Sequence, residues 1–315
     1  MVEPEGPFCV HKSTICDNDF TIHTRNFVTS SQEDVFFMRS ALNILIYTYI
    51  WVALGAGSLA YISAELQGIP GAAPAALTFL LALSSYAFIR LIKDRYSQPK
   101  KWRKEDLWNE KYRGVALFTF IASTSAIIAL LWEFIDTVQL YKTLVLPGVL
   151  TLAYAYPLGK NSRIRLREVP GLKILTISLS WAWTAFFVPS LLTGGAPALN
   201  EYFILGAMTL YTVAITIPFD IRDMHKDHSA MRTLPQVLGS VKARWLGILL
   251  LLLTWLTLLS INDEAQFITS SGTALSYAAI MIFLARDKRD EFFYGFWVEA
   301  SPIIWAFHYW AFVVL

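Results

Sequence analysis

Cysteine, histidine and charge are all scarce in this chain of 315 residues: two Cys, five His and a charged fraction of 16%. The two cysteines, Cys9 and Cys16, lie in a polar N-terminal arm near His11 and His23. A zinc knuckle needs tighter ligand spacing, so the arm, residues 1–36, reads as a mobile cytoplasmic tail and no disulfide is expected. A short apolar core with a small-residue cleavage site is also missing, so no signal peptide is expected. The sequence has no G-x-x-x-x-G-K-[ST], no H-E-x-x-H and no convincing Ser-His-Asp order. Those absences exclude P-loop nucleotide hydrolysis, zincin chemistry and a serine triad. Nothing suggests a nucleic-acid partner.

What is abundant is apolar surface. Hydrophobic residues make up 55% of the chain and the mean hydropathy is +0.47, outside the range of soluble domains. Charges cluster, and between the clusters lie windows long enough to cross a hydrocarbon core of about 30 Å as helix. Nine windows are expected, at 41–62, 70–89, 114–132, 143–158, 174–192, 202–219, 245–261, 265–285 and 292–315. The fold class is therefore all-α: one polytopic membrane domain over residues 37–315. Lys and Arg concentrate in alternate connections, such as "RLIKDRYSQPKKWRKEDLWNEKYR" and "GKNSRIRLREVPGLK". The opposite connections hold Glu65, Glu133, Asp136, Glu201, Asp263 and Glu264 and almost no bases. The positive-inside rule then puts the N-terminus and the charged loops in the cytoplasm of a multi-pass protein, expected in the plasma (inner) membrane.

One charged segment is unusual. "FDIRDMHKDHSAMRTLPQVLG" presents Asp220, Asp223 and Asp227 directly after an apolar window. If the helix continues past Phe219, the three carboxylates share an arc of roughly 60°, with Arg222 and Lys226 nearly opposite. Like charges on one stripe need cations between them, and hard oxygen donors that leave room for water suit Mg²⁺ shared with a phosphate. A neighbouring loop, "YAYPLGKNSRIRLREVPGLK", carries Tyr156, Lys160, Arg163, Arg165, Arg167 and Lys173. Metal-holding carboxylates and basic groups are the two halves of a diphosphate site.

These two segments resemble UbiA-type intramembrane prenyltransferases. "DIRDMHKDHSAMRTLPQVLG" looks like that family's second aspartate-rich motif, D-x-x-D-x-x-x-D followed by T-L-P, and "YPLGK" resembles its Y-x-x-x-K element. The resemblance implies a helical bundle around a central cavity, Mg²⁺ as cofactor, an isoprenyl diphosphate donor, and transfer of the prenyl group to a hydrophobic or aromatic acceptor reached from membrane lipid. Asp220, Asp223 and Asp227 would be metal-binding and catalytic, and Tyr156, Lys160, Arg167 and Lys173 would hold the diphosphate.

The family's first acidic motif, N-D-x-x-D-x-x-x-D, is degenerate here. The corresponding "SSYAFIRLIKDRYSQPKKW" supplies Asp94 as a metal ligand and then no acid before Glu105 and Asp106. Arg90 either meets a phosphate directly or reaches to the headgroups. Terpene cyclisation on the same fold and a non-catalytic lipid-binding scaffold are the alternative functions. Trp181, Trp183, Phe187 and Tyr211 are aromatic candidates for a cavity lining. Glu299, about 10 Å into the last window by helical rise, reads as an interfacial carboxylate, and His308 at the far end reads as an interface residue. Arg39 and Asn43 mark the start of the first span.

Overall fold

A computed structural model describes residues 42–96, 104–132, 138–157, 165–193, 195 and 197–314. The arm, Arg39, Lys160 and Arg163 lie outside the described residues. The helices are α1 (Ile50–Leu66), α2 (Ala72–Tyr96), α3 (Lys104–Lys111), α4 (Arg113–Trp132), α5 (Val138–Ala155), α6 (Leu172–Leu192), α7 (Tyr202–Asp223), α8 (Leu234–Leu238), α9 (Ser240–Leu259), α10 (Ala265–Leu284) and α11 (Ser301–Tyr309). No β-strand occurs among the described residues.

Six helical segments are long and apolar enough to cross a membrane: Ala72–Ile92, Arg113–Trp132, Leu172–Ser190, Leu199–Asp223, Ser240–Leu259 and Ala265–Leu284. They match six of the nine windows. The first window breaks at Tyr49, whose left-handed backbone (φ 63°) separates helical residues 44–47 from α1. Its ring stacks on Tyr86 with centroids 5.8 Å apart. The fourth window is α5, which stays helical through Pro147, a residue that removes one backbone donor. The ninth is two π-helical segments, Phe293–Val298 and Trp310–Val314, flanking α11, which opens with Pro302 in its first turn.

The helix contacts close into a ring: α1 on α6, α6 on α7, α7 on α9, α9 on α10, α10 on α11, and α11 back on α1. Helices α2, α4 and α5 pack outside α1 and α6. At Gly57 the α1 and α2 backbones come so close that a Cβ would lie 2.8 Å from the Ala75 carbonyl oxygen. The central core joins Leu59, Phe186, Met208, Tyr211, Phe267 and Trp305. A second cluster, with Ile217, Ile221 and Tyr294, fills the charged end. Phe118, Ile121 and Ile128 on α4 and Leu249, Leu252 and Leu256 on α9 are exposed. Apolar faces of this size suit contact with lipid.

Candidate functional site

A cavity of about 410 Å³ lies between α1, α2, α5, α6, α7 and the first π segment. Its walls are built by helical spacing. Thr78, Ala82, Ser85 and Ile89 of α2 line it, as do Thr176, Ser180 and Thr184 of α6 and Thr212, Thr216 and Asp220 of α7. Each of these hydroxyls on α6 and α7 donates to the carbonyl four residues back, at 2.6–2.8 Å. Tyr49, Tyr86, Tyr154, Trp181 and Phe219 contribute aromatic faces.

One end of the cavity is charged, carrying Arg90, Arg167, Lys173, Asp220, Arg222, Asp223 and Glu299. Three local features bring the key groups together. Gly171 takes φ 74°, in the left-handed region glycine tolerates, and its N–H donates to the Met231 carbonyl at 3.3 Å. The start of α6 is thereby fixed against the loop after α7. Asp220 and Asp223 lie in the last turn of α7, and Asp227 follows one turn on, its N–H donating to the Asp223 carbonyl at 2.8 Å. Finally, Gln236 of α8 accepts from the Thr233 N–H at 3.0 Å and donates to the carbonyls of Met224 (3.1 Å) and Asp227 (3.2 Å). The T-L-P-Q stretch therefore starts a short helix whose glutamine ties down the aspartate loop. The T-x-x-Q spacing is a capping-box signature and the sequence signal by which Gln236 could have been found.

Lys173, 8% exposed, lies between two aspartates, with Nζ 2.9 Å from Asp220 Oδ1 and 2.8 Å from Asp227 Oδ2. Arg222 grips Asp223 through both oxygens, at 2.9 and 2.8 Å. A helical wheel puts Arg222 opposite the aspartates, but the long side chain bends back over the rings of Phe219 and Tyr294 and joins the cavity wall. Arg90 lines the cavity and forms a buried ion pair with Asp106 of α3. Arg167 lies over the Tyr154 ring at 5.4 Å, with a buried Nε that has no hydrogen-bond partner among the described residues.

The remaining expected site residues are placed as follows. Tyr156 is 43% exposed, beyond the end of α5, and is not among the lining residues. Pro157 pairs with Arg165 in an antiparallel bridge, and Lys160 lies outside the described residues. Asp94 belongs to α2, and its side chain is likewise outside them. Among the four aromatic candidates only Trp181 lines the cavity. Trp183 and Phe187 pack on each other, and Tyr211 is buried against Trp305. Glu299 faces the cavity from the end of the π segment, deeper in the site than its interfacial reading. His308 meets Thr273 at 3.1 Å, away from the cavity. In the basic loop Glu168 is partly buried, which pushes its carboxyl up. The Arg165 N–H and guanidinium and the nearby Arg167 outweigh that and hold it below the ordinary value.

The bundle superposes on a solved UbiA homologue from Archaeoglobus fulgidus with a TM-score of 0.53 at 12% identity, over 87% of this chain and 98% of that one. The fold is the UbiA fold. That homologue was solved bound to GPP and Mg²⁺. No protein-family model and no curated protein matches the chain.

The UbiA fold and the sequence resemblance both raise Mg²⁺, and the donor set here can be tested against it. Among the described residues no group of three or more His, Cys, Asp or Glu converges so as to hold a metal ion. Asp220 and Asp227 share Lys173, and Asp223 holds Arg222. As these side chains stand, they do not fit a metal cluster held by the three aspartates.

Proposed function

We propose that this protein is a membrane prenyltransferase of UbiA type, moving an isoprenyl group from an isoprenyl diphosphate to a hydrophobic or aromatic acceptor. The observation that carries this reading is the two-ended cavity. One end is ionic, with Arg167, Lys173, Asp220, Arg222 and Asp223, and the body is apolar and aromatic. An isoprenyl diphosphate has the same two-ended chemistry. The diphosphate end is assigned to Arg167 and Lys173, with Tyr156 and Lys160 as the further partners implied by the sequence. Asp220, Asp223 and Asp227 organise the cations around it. The proposed domain is residues 37–315, with residues 1–36 as an arm and the ionic end on the cytoplasmic side of the plasma (inner) membrane.

In this reaction the allylic C–O bond breaks and its electron pair leaves with the diphosphate oxygen. The acceptor then supplies an electron pair to the allylic carbon and gives up its proton to the released diphosphate. Basic side chains stabilise the leaving oxygens where negative charge accumulates. The faces of Tyr49, Tyr86 and Trp181 suit the carbocation, and the apolar walls keep water from it. Mg²⁺ and Asp94 are the further partners suggested by the resemblance, and the reading does not depend on either.

The test is incubation of the protein in lipid nanodiscs with geranyl, farnesyl and geranylgeranyl diphosphates, with and without a panel of phenolic and quinone-type acceptors, followed by diphosphate release and product analysis. Acceptor-dependent release with a prenylated product is expected. Release without acceptor and a hydrocarbon product would replace transfer by cyclisation. Donor binding without release would leave a lipid-binding scaffold, and no binding at any length would end the diphosphate reading.

A further inference from the structure

Lys173 occupies the place where a divalent cation would be expected to sit. Two carboxylates from different parts of the chain, Asp220 on α7 and Asp227 beyond it, converge on its ammonium at 2.9 and 2.8 Å. Lys173 is held there from three directions. It sits in the first turn of α6, that turn is fixed to the aspartate loop through Gly171 and Met231, and the loop is fixed through Gln236. An ammonium and a metal ion cannot both take the space between the same two oxygens. Mg²⁺ also demands near-octahedral oxygen geometry with several waters retained. A buried lysine ion-paired with both carboxylates stands where that shell would have to form.

We propose that Lys173 serves as a tethered cation in the seat between Asp220 and Asp227, so that these two carboxylates are not loaded with divalent metal in the resting protein. This rests on the prenyltransferase reading only for its consequence: a diphosphate would meet these two aspartates already neutralised by a protein cation rather than by metal. Besides facing the diphosphate end of the cavity, Lys173 thus positions the two aspartates. It neutralises two carboxylates that would otherwise repel each other, and it holds Asp227 against the end of α7. Among the described residues the α2 wall presents Tyr86 and Arg90 to the cavity and no carboxylate.

The experiment measures Mn²⁺ binding by electron paramagnetic resonance, with Mn²⁺ standing in for Mg²⁺, on the full chain in detergent without any donor. Wild type, Lys173→Met, Lys173→Arg and Asp220→Asn are compared. Wild type and Lys173→Arg should show no site-bound Mn²⁺ at concentrations where Lys173→Met, with both carboxylates freed, binds at least tenfold more tightly. Asp220→Asn added to Lys173→Met should abolish the gain. Tight Mn²⁺ binding by wild type that is lost in Asp220→Asn would overturn the proposal, as would a folded Lys173→Met protein with no gain. The wild-type arm decides even where Lys173→Met fails to fold. Geranyl diphosphate binding is followed on the same samples. Its complete absence defeats the prenyltransferase reading and leaves the Mn²⁺ comparison to judge Lys173 separately.

Discussion

Arg90 and Asp106 sit in α2 and α3 with side chains only 4% and 7% exposed, so removing one charge takes a close counter-ion from the other. Replacing Asp106 with Ala leaves a guanidinium desolvated without its carboxylate. Breaking a buried pair in this way costs about 3–5 kcal/mol, and Coulomb attraction near contact at an effective dielectric of about 20 gives a similar figure of about 4 kcal/mol. At roughly 2–3 °C per kcal/mol for a chain of this size, the midpoint of thermal unfolding should fall by roughly 6–15 °C. The double variant Arg90→Met with Asp106→Leu removes both desolvation penalties and should recover most of the loss, since apolar replacement of a buried pair is often neutral or stabilising. Tryptophan fluorescence in detergent, read as a double-mutant cycle, measures the coupling directly. A fall of less than about 2 °C for Asp106→Ala, or a double variant no more stable than the single, would refute the account of this pair as buried and interdependent.

Gly57→Ala should destabilise by about 1–3 kcal/mol through overpacking, because its Cβ would meet the Ala75 backbone rather than a side chain that can move. Gly206→Ala, in the interior of α7 with nothing within 4 Å of the added Cβ, should instead be neutral or stabilising by about 0.5–1 kcal/mol. Opposite signs in thermal unfolding would check both. Ser180→Phe fills the wall of the cavity, and affinity should fall more for geranylgeranyl than for geranyl diphosphate, measured by titration. An equal loss for both would place the chain elsewhere. The Glu168 carboxyl, held low by Arg165, contributes stability that is fully present above about 4.5 and is lost as pH falls through its depressed value. Glu168→Gln should flatten the acid limb of the pH–stability curve, and an unchanged limb would remove Glu168 from it.

The positions of Asp220 and Asp223 at the cavity wall were legible because helical spacing and an apolar run ending in acids are local signals. So were the six continuous spans. The breaks in the first and ninth windows were not, since hydropathy registers Pro302 as a minor dip and does not register the backbone of Tyr49 at all. The cations were misread for a different reason. A wheel places the Cβ of Arg222 but not the end of its side chain, which reaches back around the helix. The pairing of Arg90 with Asp106 joins two helices across an intervening segment, and no local period encodes it. Tyr154, rather than Tyr156, lines the cavity because α5 ends at Ala155, a boundary that pattern reading places only within a few residues.

The hydroxyls of Thr176, Ser180, Thr184, Thr212 and Thr216 each give their proton to their own helix. What they turn toward the cavity is therefore oxygen lone pairs with no hydrogen to offer. These α6 and α7 hydroxyls act as weak bases along their side of the cavity and favour an electron-poor guest. Exchanging any one of these threonines for valine would take away an acceptor and leave the count of donors facing the guest unchanged.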